Sequence, residues 1–155
     1  MTSPAAQSPD GLVPGTAVVT ITGGDETPTT WSLRQYGGIS YDTDSTAFYY
    51  MSFLDNPDRP RDSAREQYLD IGLDNERQPS LGETPGKIKI SVPPSKYYKS
   101  EIAGSCTIAI TAIDDIARRG TFSCTGLGGR DSNSGAPNGK TVNLVGAFAY
   151  KRTRS

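Results

Sequence analysis

From Thr16 to Tyr150 the chain is a series of short β-type runs separated by clusters of glycine and proline, and this punctuation limits the possible folds more than any other feature. Thr16-Ala-Val-Val-Thr-Ile-Thr22 is β-branched almost throughout and stops at Gly23-Gly24. Residues 30–36 place Trp31, Leu33 and Gln35 on one face and stop at Gly37-Gly38. Residues 46–54 are apolar on both faces, as in a central strand covered on both sides. Residues 67–73 group Leu69, Ile71 and Leu73, and Lys87–Val92 turns Ile88, Ile90 and Val92 inward before Pro93-Pro94 closes it. Residues 140–150 carry Val142, Leu144, Phe148 and Tyr150 on one side. Only Ser63–Tyr68 offers a helical turn, through Ala64-Arg-Glu-Gln67, and it is too short to organise a fold. With a disulfide hairpin described next, about eight strands are expected: an all-β, antiparallel β-sandwich or partly closed barrel. The 17 glycines and 11 prolines among 155 residues agree with many short elements. The length fits a single β domain over 16–151, with ample burial for independent stability.

Cys106 and Cys124 fall in two segments that read as the arms of one hairpin, Cys106–Ala112 and Arg118–Cys124, with 113–117 as the turn. Symmetric pairing sets Cys106 opposite Cys124, Ile108 opposite Phe122 and Ile110 opposite Gly120, all on one sheet face. Directly opposed cysteines lie near the Cα separation a disulfide needs. A cross-strand disulfide is therefore expected, against the alternative of two free buried thiols. Such a bridge is worth ~3 kcal/mol in the chain-entropy model and implies an oxidising compartment.

Residues 1–15 contain three of the prolines and few large apolar side chains, and read as a flexible tether or an expression remnant. They lack the charged start and apolar core of a signal peptide, so an export signal is expected to lie outside this sequence. Residues 152–155 form a basic tail continuing from Lys151, with Arg152 and Arg154. No apolar run approaches the ~20 residues that span a bilayer as a helix.

Several chemistries are disfavoured. The chain has no histidine, which removes the usual zinc ligand, the usual general base and every Ser-His or Cys-His nucleophile pair. A formal net charge of −1 argues against a nucleic-acid partner. Asp42-Thr-Asp44 and Asp131-Ser-Asn133-Ser-Gly135 resemble the opening of a calcium loop, but Phe53 and Val142 stand where its closing glutamate belongs. Turn chemistry accounts for both, so no metal is expected. Gly126-Leu-Gly-Gly129 lacks the Lys-Ser/Thr ending of a phosphate cradle, and no serine-nucleophile motif is present. Asp114-Asp115 at the hairpin tip is the obvious carboxylate pair for glycoside hydrolysis, yet tip acids are usually solvated. No catalytic residue and no cofactor are expected.

Two loops stand out: 55–66, with Asp55, Asp58, Asp62 and Glu66 against Arg59, Arg61 and Arg65, and 126–139, rich in Gly, Ser and Asn. Among the aromatics, Tyr49-Tyr50 falls in the two-sided central strand and Trp31 reads as core. Tyr97-Tyr98, flanked by Lys96 and Lys99 after the proline pair, is the best candidate for exposed recognition, with Tyr36 or Tyr41 as additions. Arg118-Arg119 and Lys151-Arg-Thr-Arg154 are basic clusters near strand ends, read as a solvated tail with an anionic surface as the alternative partner.

Gly120-Thr-Phe-Ser123 and Gly146-Ala-Phe-Ala149 are two copies of Gly-small-Phe-small, the first after Thr-Ile-Ala-Ile-Thr and the second after Thr141–Val145. This pattern resembles the C-terminal half of small exported bacterial lipoprotein domains. The resemblance covers about a third of the chain. It implies a β-sandwich and an extracytoplasmic setting, and offers no catalytic residue to carry over. In physical terms, Gly admits a close neighbour or a twist and Phe fills the core beside it. The sequence thus points to a non-catalytic extracytoplasmic binding or structural domain, secreted, periplasmic or anchored at the cell surface, with a protein or glycan partner and membrane contact only through a lipid anchor. The alternatives are a carbohydrate-binding module using Tyr97 and Tyr98 and, last, a carboxylate-dependent glycoside hydrolase.

Overall fold

A computed structural model describes residues 9–24, 26–36, 48–58, 60, 66–74, 81–94 and 96–151. After a 3-10 turn at Pro9–Gly11 come nine strands: β1 (Thr16–Gly23), β2 (Glu26–Gln35), β3 (Phe48–Leu54), β4 (Tyr68–Asp74), β5 (Gly82–Val92), β6 (Lys96–Lys99), β7 (Ser105–Ile113), β8 (Ala117–Asp131) and β9 (Pro137–Lys151). All pairings are antiparallel, and β9 returns to β1, so the sheet closes on itself.

The fold is a closed barrel of eight strands with β7 as the extra one. β6 and β7 occupy the same position in the wall: Lys89–Val92 of β5 pairs with β6, and Gly82–Gly86 of β5 pairs with β7. On the other side β8 does likewise, pairing Gly128–Asp131 with β6 and Arg118–Thr125 with β7. The line is interrupted at 100–104, opposite a bulge in β8 where Gly126 takes a φ of +68°, a left-handed conformation that suits glycine. Of the two expected architectures, the barrel is the one formed, and its closure is complete. Both β8 and β9 are 15 residues long. β9 therefore reaches β8 on one side and β1 on the other, leaving no free edge between them.

Following register partners once around the wall, from Ala149 on β9 through Thr16, Arg34, Leu54, Tyr68, Ser91, Tyr97 and Arg130, ends at Pro137, twelve residues from the start. A stagger this large for eight strands means steeply tilted strands and a wide barrel. Period-two alternation sends aliphatic side chains inward from β1, β4, β5 and β7, and Trp31, Met51, Phe53, Tyr98, Phe122, Phe148 and Tyr150 inward from the rest. Trp31 is core, as its alternation predicts.

The β7–β8 hairpin has the expected register, with Cys106 opposite Cys124, Ile108 opposite Phe122 and Ile110 opposite Gly120. The two cysteines form a disulfide on the inner face, Cα atoms 4.1 Å apart. Three features differ from expectation. Residues 126–139 are mostly strand, leaving only 132–136 as the β8–β9 loop. Residues 9–15, read as tether, lie against the barrel: Arg119 Nη1 donates to the Leu12 carbonyl at 2.7 Å, and the Gly15 amide donates to the Ala149 carbonyl at 2.7 Å. Arg118 and Arg119 do not form an exposed basic cluster, because strand alternation separates them. Arg118 shares the inner face of Phe122 and is 4% exposed, while Arg119 holds the N-terminal segment outside.

Candidate functional site

The Lys96–Lys99 segment is a wall strand, so its four side chains divide between two faces. Lys96 and Tyr98 point inward, while Tyr97 and Lys99 point outward. Tyr98 is a correction to the sequence reading: it is fully buried, and its ring fills the space that a Cβ on Gly129 would need. Its hydroxyl donates to Glu26 Oε2 at 3.2 Å, and Lys96 Nζ forms an ion pair with the same oxygen. This trio ties β6 to the start of β2 at the barrel rim. It is an internal tie rather than a recognition surface.

The outward pair belongs to a different neighbourhood. Lys99 is the register partner of Lys89 on β5, and Tyr97 is the partner of Ser91 on β5 and Arg130 on β8. Both ammonium groups sit over the Tyr97 ring, Lys89 Nζ at 4.9 Å from its centroid and Lys99 Nζ at 5.7 Å. The negative face of the ring attracts each of them. Arg130 is half-buried, and among the described residues its buried Nε has no hydrogen-bond partner.

Asp70 on β4 is the register partner of Lys89. Its Oδ1 accepts a hydrogen bond from Ser52 Oγ at 2.8 Å, and Ser52 Oγ lies 3.3 Å from the Tyr68 hydroxyl. Burial pushes the Asp70 carboxyl above its ordinary value, against the opposing pull of the Ser52 bond and the Lys89 charge. Beside it, Asp70, Lys87, Ile88, Lys89, Lys99 and Glu101 line a depression of about 90 Å³. Chemically this wall offers one aromatic ring, several cations and a single partly withdrawn carboxylate.

Other candidates are dispersed. Tyr36 is exposed at the end of β2, its amide donating to the Ser52 carbonyl at 2.9 Å, and it is not brought to Tyr97. Tyr41, Asp42 and Asp44 lie outside the described residues, as do Arg152 and Arg154 and the side chains of Tyr49 and Tyr50. Of the 55–66 loop, Asp58 pairs with Arg34 at 3.0 Å, while Arg59, Arg61, Asp62 and Arg65 lie outside the described residues. Asp114 Oδ1 accepts the amides of Ile116 and Ala117 at 2.7 and 2.8 Å, closing the hairpin tip, and Asp115 is exposed. Asp131 Oδ1 accepts the amides of Asn133 and Ser134, which holds its carboxyl below the ordinary value. That is the turn chemistry its spacing suggests. Among the described residues no group of three Cys, Asp or Glu side chains converges to hold a metal ion.

Sequence reasoning missed Lys89 and Arg130 as neighbours of Tyr97, and Asp70 as the neighbour of Lys89. The alternation Lys87-Ile-Lys-Ile90 does mark Lys87 and Lys89 as outward. What it lacks is the β5–β6 register that sets Lys89 beside the ring. Comparison with protein-family models, with curated proteins and with solved structures gives no match for this chain.

Proposed function

We propose that the chain is a non-catalytic binding domain that works outside the cytoplasm and takes its ligand on the outer wall of the barrel around Tyr97. The observation that carries this reading is the Tyr97 ring, half-buried and outward, with Lys89 and Lys99 held against it at 4.9 and 5.7 Å. A tyrosine fixed in this way loses little side-chain freedom on binding and presents an apolar body with a polar tip, the combination used for stacking on sugars and for anchoring interfaces. The setting outside the cytoplasm rests on the buried Cys106–Cys124 bridge, because persistent disulfides belong to oxidising compartments.

A glycan array probed with the purified chain and with Tyr97→Ala tests the site. Binding that disappears in Tyr97→Ala but survives Tyr36→Ala supports it. An array bound equally by all three proteins, or by none, removes Tyr97 from the role. Alkylation of denatured, unreduced protein recovered from its natural source tests the setting: two labelled cysteines would overturn it.

A further inference from the structure

We infer that the ligand of this wall is an acidic saccharide, a sugar chain carrying carboxylate groups, an inference that rests on the reading of Tyr97 as the centre of the site. Three cations adjoin the ring, and among the described residues none of them forms an ion pair. Lys89 and Lys99 face each other directly across β5 and β6. Like charges so placed weaken a sheet unless something offsets them, and the Tyr97 ring and the Asp70 carboxyl beside Lys89 supply only part of that offset. Arg130, the partner of Tyr97 on the other side, has its Nε buried and, among the described residues, without a hydrogen-bond partner. A carboxylate lying beside the ring offsets the charge of the lysine pair, since it accepts from an ammonium through short, charge-assisted bonds. An uncharged sugar stacked on Tyr97 would offer these cations only neutral hydroxyl acceptors, about half as strong as a carboxylate.

The surrounding acids narrow the choice further. The depression of about 90 Å³ beside Lys89 and Lys99 holds about three waters, or one carboxylate. Asp70 and Glu101 line it too, so it opposes a dense row of negative charges. Carboxylates spaced one to a sugar ring suit that balance, and the ring faces between them suit Tyr97. A polyphosphate suits neither.

Binding of the full chain to polygalacturonate and alginate, to fully methyl-esterified polygalacturonate and to inorganic polyphosphate tests the inference. The two acidic polymers are expected to bind at least tenfold more tightly than the ester, with affinity falling as salt rises. Lys89→Gln, Lys99→Gln and Arg130→Gln should each weaken acidic-polymer binding about tenfold, the loss of one charge-assisted bond, and weaken ester binding by much less. Equal affinity for ester and acid, with the three glutamine variants silent, overturns the acidic ligand and leaves Tyr97 as a neutral-sugar site. Polyphosphate binding that matches the acidic polymers and ignores Tyr97→Ala overturns the saccharide in favour of plain charge adsorption. Failure of every polymer also overturns the inference, whereas the reading of Tyr97 falls only if the array described above is silent or indifferent to Tyr97→Ala.

Discussion

Phe148 stands opposite Gly120 on the β8–β9 ladder, with its ring Cζ 2.8 Å from where a Cβ on Gly120 would be. The relationship is reciprocal, because Phe122 stands opposite Gly146 and leaves even less room there. The two Gly-small-Phe copies in the sequence are thus paired with each other, each phenylalanine covering the glycine of the other strand. Cross-strand aromatic cover of a strand glycine offsets the packing that glycine alone forgoes.

Gly120→Ala and Gly146→Ala should each destabilise the barrel toward the upper end of the ~1–3 kcal/mol seen for overpacking. In both cases the added methyl also meets a main-chain oxygen, of Ala109 or of Val18, which has no rotamer by which to yield. Urea midpoints of the two variants check this. A shift of less than about 0.5 kcal/mol in either, the scatter of ordinary surface changes, would contradict the packing account.

The Cys106–Cys124 bridge closes a loop with a sequence separation of 18, and its removal should cost about 3 kcal/mol. Both cysteines are nearly inaccessible, at 5% and 3% exposure. Reductant should therefore leave the folded protein unchanged and lower its unfolding midpoint only where unfolding exposes the sulfurs. The double variant Cys106→Ala/Cys124→Ala should show the lowered midpoint with or without reductant.

Gln35 closes the barrel where β1 has not yet begun. Its Nε2 donates to the Lys151 carbonyl at 3.0 Å and its Oε1 accepts the Lys151 amide at 2.7 Å. The side-chain amide thus stands in for a missing strand residue. Gln35→Ala should lose about 1–2 kcal/mol, two net hydrogen bonds of ordinary strength. Gln35→Glu, which can still accept but not donate, should fall between the two. Hydrogen exchange at the Lys151 amide should quicken in Gln35→Ala and stay slow in Gln35→Glu.

Asp70 makes stability depend on pH in a stated direction. Because burial raises its folded-state pKa above the unfolded value near 3.8, the folded protein binds the proton more tightly. Stability from this group therefore falls as pH rises from 3.8 through the folded pKa. Asp70→Asn, which removes the charge and keeps an acceptor for Ser52, should be more stable than the parent at pH 7 and indistinguishable from it near pH 3. A variant less stable at pH 7 would mean that the charge on Asp70 is favourable to the fold, through Lys89.

Much of this structure is legible in the sequence wherever the contact is local. The Ile88, Ile90, Val92 face, the inward Trp31 and the register of the β7–β8 hairpin all follow from alternation over a few residues. Lys96–Lys99 escaped because four residues with a tyrosine doublet, following two prolines, carry no alternation of their own. Its partners, Lys89 and Gly128, are ten and 29 residues away and only the register supplies them. The 126–139 segment escaped for a related reason: its glycines signal a loop, yet Gly128 and Gly129 sit in strand because Ile102, Ala103 and Tyr98 press against them where side chains would be.

The sequence by itself determined most of the strands, the inward faces of Trp31, Ile88, Ile90 and Val92, and the pairing of the two cysteines. These are properties of a short strand and its hairpin partner, set by period-two geometry. Only the tertiary structure decided between sandwich and barrel, since Thr16–Gly23 meets Val142–Ala149 across the whole length of the chain. Alternation is the same whether the inward face looks onto a second sheet or across a barrel. Closure depends instead on the accumulated stagger and twist of all the strands together. That same closure made a wall strand of Lys96–Lys99, turning Tyr98 into core and Tyr97 toward Lys89.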